Sequence, residues 1–180
     1  MARSQSGINF PQDNPDLGAA LLRAWTTSNQ TTVFLTKNIP DDLWIEKVPG
    51  YPRKTIGMLC AHIHNARCMW ITSIDKPVKL DQLVRSKTTR KEVTSALGQS
   101  NNAMLALLRN CLDNGGWLPV RPPWLNFPED VLHLLTYMIA HEAHHRGQIV
   151  MAAHQLKKSL PADVVYGLWQ WTKRLKETRS

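Results

Sequence analysis

Three histidines with the spacing of metal ligands are the residues of this chain best suited to chemistry. His141 and His145 lie four residues apart in a long apolar run, Val131 to Leu156, that contains no proline. On a helix this spacing places the two imidazoles one turn apart on the same face, where they can hold one metal ion. A third ligand must come from another segment, and His62 is the best candidate.

The apolar pattern around His62 decides between the two histidines of its segment. If residues 55–73 form a helix, Leu59 lies about 60° from His62 around the axis, whereas His64 lies about 200° away. His62 therefore belongs to the apolar stripe, and His64 belongs to the opposite face. An error of one residue in the helix phases would let His64 or His144 supply a fourth ligand, and the choice between His62 and His64 as the third ligand stays open.

Inward-facing histidines are costly in a core that offers them no partner. A buried lone pair without a partner costs about 1–3 kcal/mol, and a divalent cation removes that cost. Three protein ligands leave at least one position open for water or substrate, which is the arrangement of a catalytic zinc site. Imidazole binds several transition metals, so the residues do not identify the ion, and we expect zinc or nickel.

Further side chains can contribute to the surroundings of such a metal. Gln148 and Tyr137 lie near the histidine face of the same helix and can hydrogen-bond a ligand or a metal-bound group. His144 lies at the edge of that face. Core packing explains Tyr137 equally well, and Trp70 is a hydrophobic anchor before it is a pocket wall. Arg146 is expected to make a structural ion pair or a hydrogen bond between helices.

Residues 141–145 also match HExxH, the zinc metalloprotease motif in which Glu142 would be the general base. The extended form of that motif requires a glycine at position 148 and a histidine at position 151, where this chain has Gln148 and Met151. The only glutamate further along is Glu177, near the basic end. No strand that could hold a peptide substrate is evident. We therefore disfavour a protease.

Apolar residues recur with helical periodicity, which predicts an all-α fold of four helices with an additional C-terminal helix packed alongside. The chain has no internal repeat and no convincing strand pattern. The predicted helices run from an Asn14 cap and Pro15 to about Asn38, from about Thr55 to Ser73, from a capping box at Thr89–Glu92 to Asn114, from Val131 to Leu156, and onward from Pro161.

The length and composition predict one domain. With 180 residues, of which 43% are hydrophobic, the chain can bury a core without disulfides or a structural metal. We expect a flexible arm at residues 1–14 and a single domain at residues 15–180.

Trp44 is the expected anchor of the proline-containing stretch before residue 52. Residues 117–128 hold four prolines and two tryptophans, and we expect this loop to cover a pocket.

Composition also argues against several classes of protein. The net charge is +8, but basic residues are spread along the chain and no nucleic-acid-binding signature is present, so a solvated basic surface is expected. Neither a signal peptide nor a membrane span is evident. Cys60, Cys68 and Cys111 have no CxxC spacing and are expected to be reduced thiols. We therefore expect a soluble cytoplasmic protein.

Three blocks of sequence resemble the DinB superfamily of metal-binding helical bundles. They are His141-Glu-Ala-His-His145-Arg-Gly-Gln148-Ile149, Leu59-Cys-Ala-His62-Ile63 and Tyr166-Gly-Leu-Trp169-Gln-Trp171. The similarity extends from about residue 16 to residue 172. It implies a four-helix bundle with up-down-down-up order and a divalent metal on His62, His141 and His145. It also implies a homodimer in a bacterial cytoplasm.

Relatives of this fold include thiol S-transferases and a thiol-dependent isomerase that use low-molecular-weight thiols. The resemblance therefore implies a metal-dependent enzyme acting on a small molecule, either as a transferase or as a hydrolase that uses metal-bound water. A non-catalytic metal-binding or stress-associated bundle is the alternative. An open coordination position beside a roomy pocket would favour the enzyme, and a fourth protein ligand without a pocket would favour the alternative.

Overall fold

The computed structural model describes residues 16–177 and is mostly helical. The four long helices are α1 (Leu17–Asn38), α3 (Ile56–Ile74), α4 (Arg90–Asp113) and α5 (Val131–Gln155). Shorter elements are α2 (Asp41–Trp44), the strands β1 (Lys47–Val48) and β2 (Tyr51–Thr55), a 3-10 turn (Arg85–Lys87), α6 (Ala162–Gly167) and α7 (Trp171–Lys176). No helix within the described residues is long and apolar enough to cross a membrane.

Side-chain caps fix where the long helices begin. The Thr55 hydroxyl accepts a hydrogen bond from the backbone of α3, and Thr89 with Glu92 forms the predicted capping box of α4. Helix α1 begins at Leu17, because the Asp16 carboxylate accepts from the backbone of its first turn. The predicted start at Pro15 was therefore too early, and Asn14 and the arm of residues 1–14 lie outside the described residues.

Two expectations about the shorter elements were wrong. The stretch before α3 contains an antiparallel hairpin, β1 with β2, although no strand was predicted. Gly50 adopts a φ of +77° in the turn, a conformation that glycine adopts without steric strain. The C-terminal segment forms two short helices rather than one. The first of them ends at Gly167, where a Cβ atom would lie only 2.5 Å from the Phe34 ring.

Trp44 anchors the segment between α1 and α3, as predicted. Its side chain is 9% exposed and its indole rests on the first turn of α3. A Cβ atom at Gly57 would come within 2.4 Å of that indole, so only glycine allows this close approach. Thr55 is both the last residue of β2 and the N-cap of α3. The hairpin therefore lies directly beside the start of α3.

Two hydrophobic clusters fill the opposite ends of the helical body. One cluster contains Leu35, Ile39, Ile56, Leu59, Cys60, Ile63, Val93, Leu97, Ile149, Ala152 and Ala153, together with smaller contributions from the hairpin region and α6. The other contains Trp25, Trp70, Ile71, Ile74, Met104, Leu107, Leu108, Cys111, Leu134, Leu135 and Met138 among its members. Buried polar side chains lie between the two clusters in sequence on each long helix: Asn29, Thr32, Arg67, Ser100 and Glu142.

Candidate metal centre

The three predicted histidines meet between α3 and α5. The ring centre of His62 lies 5.5 Å from that of His141 and 4.7 Å from that of His145, and the latter two rings are 4.5 Å apart. One nitrogen of each ring can be chosen so that all three lie within 4.8 Å of one another. Each side chain is partly buried. His62 thus lies beside the other two histidines, and the binding of a metal by these residues stays a prediction.

His145 is oriented as a ligand by its neighbour one turn further along α5. Its Nδ1 lies 2.7 Å from Oε1 of Gln148, and its Nε2 lies 3.1 Å from Nε2 of His141. Since a carbonyl oxygen only accepts hydrogen bonds, the His145 proton resides on Nδ1, and the Nε2 lone pair is directed toward His141. Two nitrogens that each lie about 2.0–2.1 Å from one ion would be about 3 Å apart at ordinary bond angles. The two Nε2 atoms of His141 and His145 have about this separation.

The histidines are held in the neutral form that binds metals. Burial, followed by the proximity of the other two histidines, lowers the pKa of His62 to about 4. Burial and then His145 lower the pKa of His141 to about 4, and burial also lowers the pKa of His145. All three rings are therefore uncharged near neutral pH, and protons compete with a metal only in acid.

The hydrogen bonding of the cluster is incomplete within the part of the chain that the structure describes. Nδ1 of His141 is buried and has no hydrogen-bond partner there, while its Nε2 faces His145. A buried polar atom without a partner is unfavourable by about 1–3 kcal/mol. Three converging neutral imidazoles that satisfy one another only in part form a donor set that suits zinc or nickel.

The two alternative histidines do not join the cluster. His64 is 1% exposed, and its ring nitrogens lie 3.1 Å from the Ser100 hydroxyl and 2.9 Å from the Asp81 carbonyl oxygen. Both of its nitrogens are thus engaged in structural hydrogen bonds. His144 is exposed, and its ring touches only the outer side of His145 at 5.1 Å. Neither of them supplies a fourth nitrogen to the group.

An aromatic wall lies next to His141. Tyr137 stacks near the His141 ring, with ring centres 6.2 Å apart and planes inclined by 14°. Trp70 is buried and contacts Tyr137, with ring centres 4.8 Å apart. Two aromatic residues of the loop at 117–128, Trp124 and Phe127, pack against Trp70 at 4.6 and 5.3 Å. This loop thus extends the aromatic group that begins at Tyr137, and its expected role as the cover of a pocket stays a prediction.

Glu142 points away from the histidines and into the polar layer. Its carboxylate is fully buried and accepts hydrogen bonds from Nε and Nη2 of Arg67 at 2.6 and 2.9 Å and from the Thr32 hydroxyl at 2.8 Å. Burial alone would raise the pKa of Glu142, but the charge and hydrogen bonds of Arg67, aided by Thr32 and Arg146, hold that pKa below its usual value. An ionised carboxylate with these partners cannot act as a general base on a metal ligand, which contradicts the protease interpretation.

Sequence reasoning missed Arg67, which organises this layer. The side chain is completely buried, donates to the Asn29 side chain at 2.8 Å and to the Leu97 carbonyl oxygen at 3.1 Å, and lies over the Trp25 ring at 4.9 Å. The available signal was that Arg67 is the only aspartate, glutamate, lysine or arginine in α3. Arg146 has the predicted structural role, since its Nη1 donates to the Thr32 hydroxyl at 2.7 Å.

Comparison with known proteins gives a family for this chain. The model of the DinB family matches residues 11–176, which is nearly the whole chain. No curated protein matches the chain significantly.

Proposed function

Because the chain belongs to the DinB family, we propose that it binds one divalent metal ion, zinc or nickel, through His62, His141 and His145. The observation that carries this proposal is the convergence of three neutral imidazoles whose ligand nitrogens lie within 4.8 Å of one another. The hydrogen bond from His145 to Gln148 adds support, because metal-bound histidines are ordinarily oriented in this way.

We further propose that the long helices run in the up-down-down-up order that the family resemblance implies. The composition of the two hydrophobic clusters supports this order. One cluster holds the C-terminal halves of α1 and α5 with the N-terminal halves of α3 and α4, and the other cluster holds the opposite halves. Helices α1 and α5 would then point one way and α3 and α4 the other way.

The proposed activity is that of a metal-dependent enzyme, resembling a thiol S-transferase or a hydrolase. A cavity of about 700 Å³ lies between α5 and the hairpin and is lined by His145 and Gln148, so a small molecule bound there would lie next to one of the three histidines. A divalent ion held there would lower the pKa of a bound thiol or water and so provide a nucleophile. The chain itself would orient His145 through Gln148 and exclude solvent from the His141 side through the aromatic wall.

The alternative is a non-catalytic metal-binding or stress-associated bundle, which a fourth protein ligand would favour. Among the described residues His64 is hydrogen-bonded to Ser100 and Asp81, and His144 is exposed. A bound ion would therefore have three histidine ligands and a cavity beside it. This combination favours the enzyme, since it leaves room for an exogenous ligand.

Elemental analysis of the purified protein tests the metal site. We expect about one zinc or nickel per chain in the wild type and none in the His141→Ala/His145→Ala variant. His62→Ala should also abolish stoichiometric binding, whereas the exposed His154→Ala variant serves as a matched control and should keep it. A wild-type chain that takes up neither zinc nor nickel when they are added would refute the proposal.

A second measurement separates the enzyme from the non-catalytic alternative. Cobalt substituted into the site reports its ligands through its visible absorption, and an added thiol that reaches the metal produces an intense thiolate band. We expect this band to appear on addition of mercaptoethanol and to be absent from the His141→Ala/His145→Ala variant. A cobalt spectrum that is unchanged by any thiol would favour a closed, non-catalytic site.

A further inference from the structure

The cavity beside the histidine cluster has an uneven lining. Of the three histidines of the cluster His145 lines the cavity, and the other polar side chains of the lining belong to Tyr51, Lys54, His144, Gln148 and Gln155. The apolar lining residues are Val48, Pro49, Leu59, Ala143, Met151 and Ala152. Of these lining side chains one is a lysine and none is a carboxylate, so a bound molecule meets positive but no negative charge.

Lys54 is the lining residue that carries this charge. It lies on β2, one residue before the N-cap of α3, and its Nζ sits 5.2 Å above the centre of the Tyr51 ring. No carboxylate in residues 16–177 lies within 4 Å of Nζ, whereas Lys158 contacts both Asp42 and Glu46. The Lys54 ammonium is therefore available to an anion in the cavity.

The carboxylate next to the histidines in the chain, Glu142, does not line this cavity. It is fully buried and is paired with Arg67. A divalent ion held by three neutral histidines would add two further positive charges.

We propose that the cavity selects small organic acids, which bind with their carboxylate at Lys54, their body on the apolar lining residues and a donor atom directed at the His145 side of the histidine cluster. This inference rests on the proposed metal site and adds the class of its substrate. Lys54 acts as a specificity-determining residue, because it favours an anion over a neutral or cationic molecule of the same length. Lys54 is exposed, and an ion pair at such a lysine contributes about 0.2–1 kcal/mol, which changes the affinity by up to about fivefold.

Three thiols of similar length and different charge test this proposal: mercaptopropionate, mercaptoethanol and mercaptoethylamine. Their dissociation constants for the zinc-loaded protein are measured by calorimetry in wild type, Lys54→Gln and Lys47→Gln. Lys47 is the matched control, since it is an exposed lysine of the same hairpin that does not line the cavity. Comparing each thiol between variants cancels the intrinsic differences in thiol acidity.

In Lys54→Gln we expect mercaptopropionate to bind about two- to fivefold more weakly, mercaptoethanol to change less than about twofold, and mercaptoethylamine to bind more tightly. Lys47→Gln should leave all three affinities unchanged. Equal changes for all three thiols, no change in Lys54→Gln, or an equal effect of Lys47→Gln would overturn the assignment of Lys54. A chain that fails to bind zinc would overturn the metal site and this inference together, whereas a zinc-loaded chain without charge preference would overturn only this inference.

Discussion

Replacement of Glu142 by glutamine distinguishes a structural role from a catalytic one at the second position of the HExxH match. Three hydrogen bonds converge on the wild-type carboxylate, two from Arg67 and one from Thr32. An amide of the same shape places an NH2 group against one of these donors and removes the negative charge that faces a fully buried guanidinium. Glu142→Gln replaces none of the three histidines of the cluster.

The loss of stability follows from the burial of this pair. Both side chains have zero exposure, and removing one partner of a buried ion pair costs about 3–5 kcal/mol, because the other charge remains uncompensated. In a domain of this size each kcal/mol lowers the melting temperature by about 2–4 °C, so we expect a decrease of about 6–20 °C. The matched control is Glu129→Gln, whose partner Arg121 is largely exposed. It should cost about 1 kcal/mol or less.

The assay is urea and thermal unfolding of the metal-free variants, followed by circular dichroism, with metal stoichiometry measured in parallel. Arg67→Met/Glu142→Met should recover much of the loss, since it removes both charges, and a double-mutant cycle gives the coupling between them. A Glu142→Gln protein as stable as the wild type, with full metal binding but without metal-dependent activity, would refute the structural assignment and restore the general base.

Three further predictions concern the site and its framework. In the metal-free protein the free energy of unfolding should fall as the pH drops from about 6.5 toward 5, because unfolded histidines with a pKa near 6.5 bind protons that the folded cluster, with lowered pKa values, does not bind. Urea titrations at several pH values should show this dependence of the free energy of unfolding on pH, and the His62→Gln/His141→Gln/His145→Gln variant should lose most of it. An equal dependence in the two proteins would contradict protonation of these histidines as the cause. Gln148→Ala should weaken zinc binding about 10- to 100-fold by competition with a chelator, whereas Gln155→Ala, which lines the cavity without contacting a histidine, should not. Gly57→Ala should destabilise the protein by about 1–3 kcal/mol, since the new Cβ would lie 2.4 Å from the Trp44 indole. The control Gly98→Ala, which has open space around it, should stabilise the protein by about 0.5–1 kcal/mol, and similar melting temperatures for the two variants would rule out the close approach.

The sequence by itself determined the features that depend on local spacing. His141 and His145 share a face because four residues make roughly one helical turn, and the same periodicity selected His62 over His64. The Thr89 capping box and the buried Trp44 are also local signals, since a cap is read within four residues and a proline-containing segment needs an anchor.

Only the tertiary structure decided the features that depend on contacts distant in the chain. The sequence motif makes Glu142 look like a general base, but in the structure it pairs with Arg67, which is 75 residues away in the chain. The β1–β2 hairpin forms and brings Lys54 to the cavity that His145 also lines. Helix α6 needs a glycine at position 167, because the Phe34 ring occupies the space of a side chain there. A sequence pattern specifies which face of a helix is apolar, but burial, pairing and charge at that face are set by whichever segment packs against it.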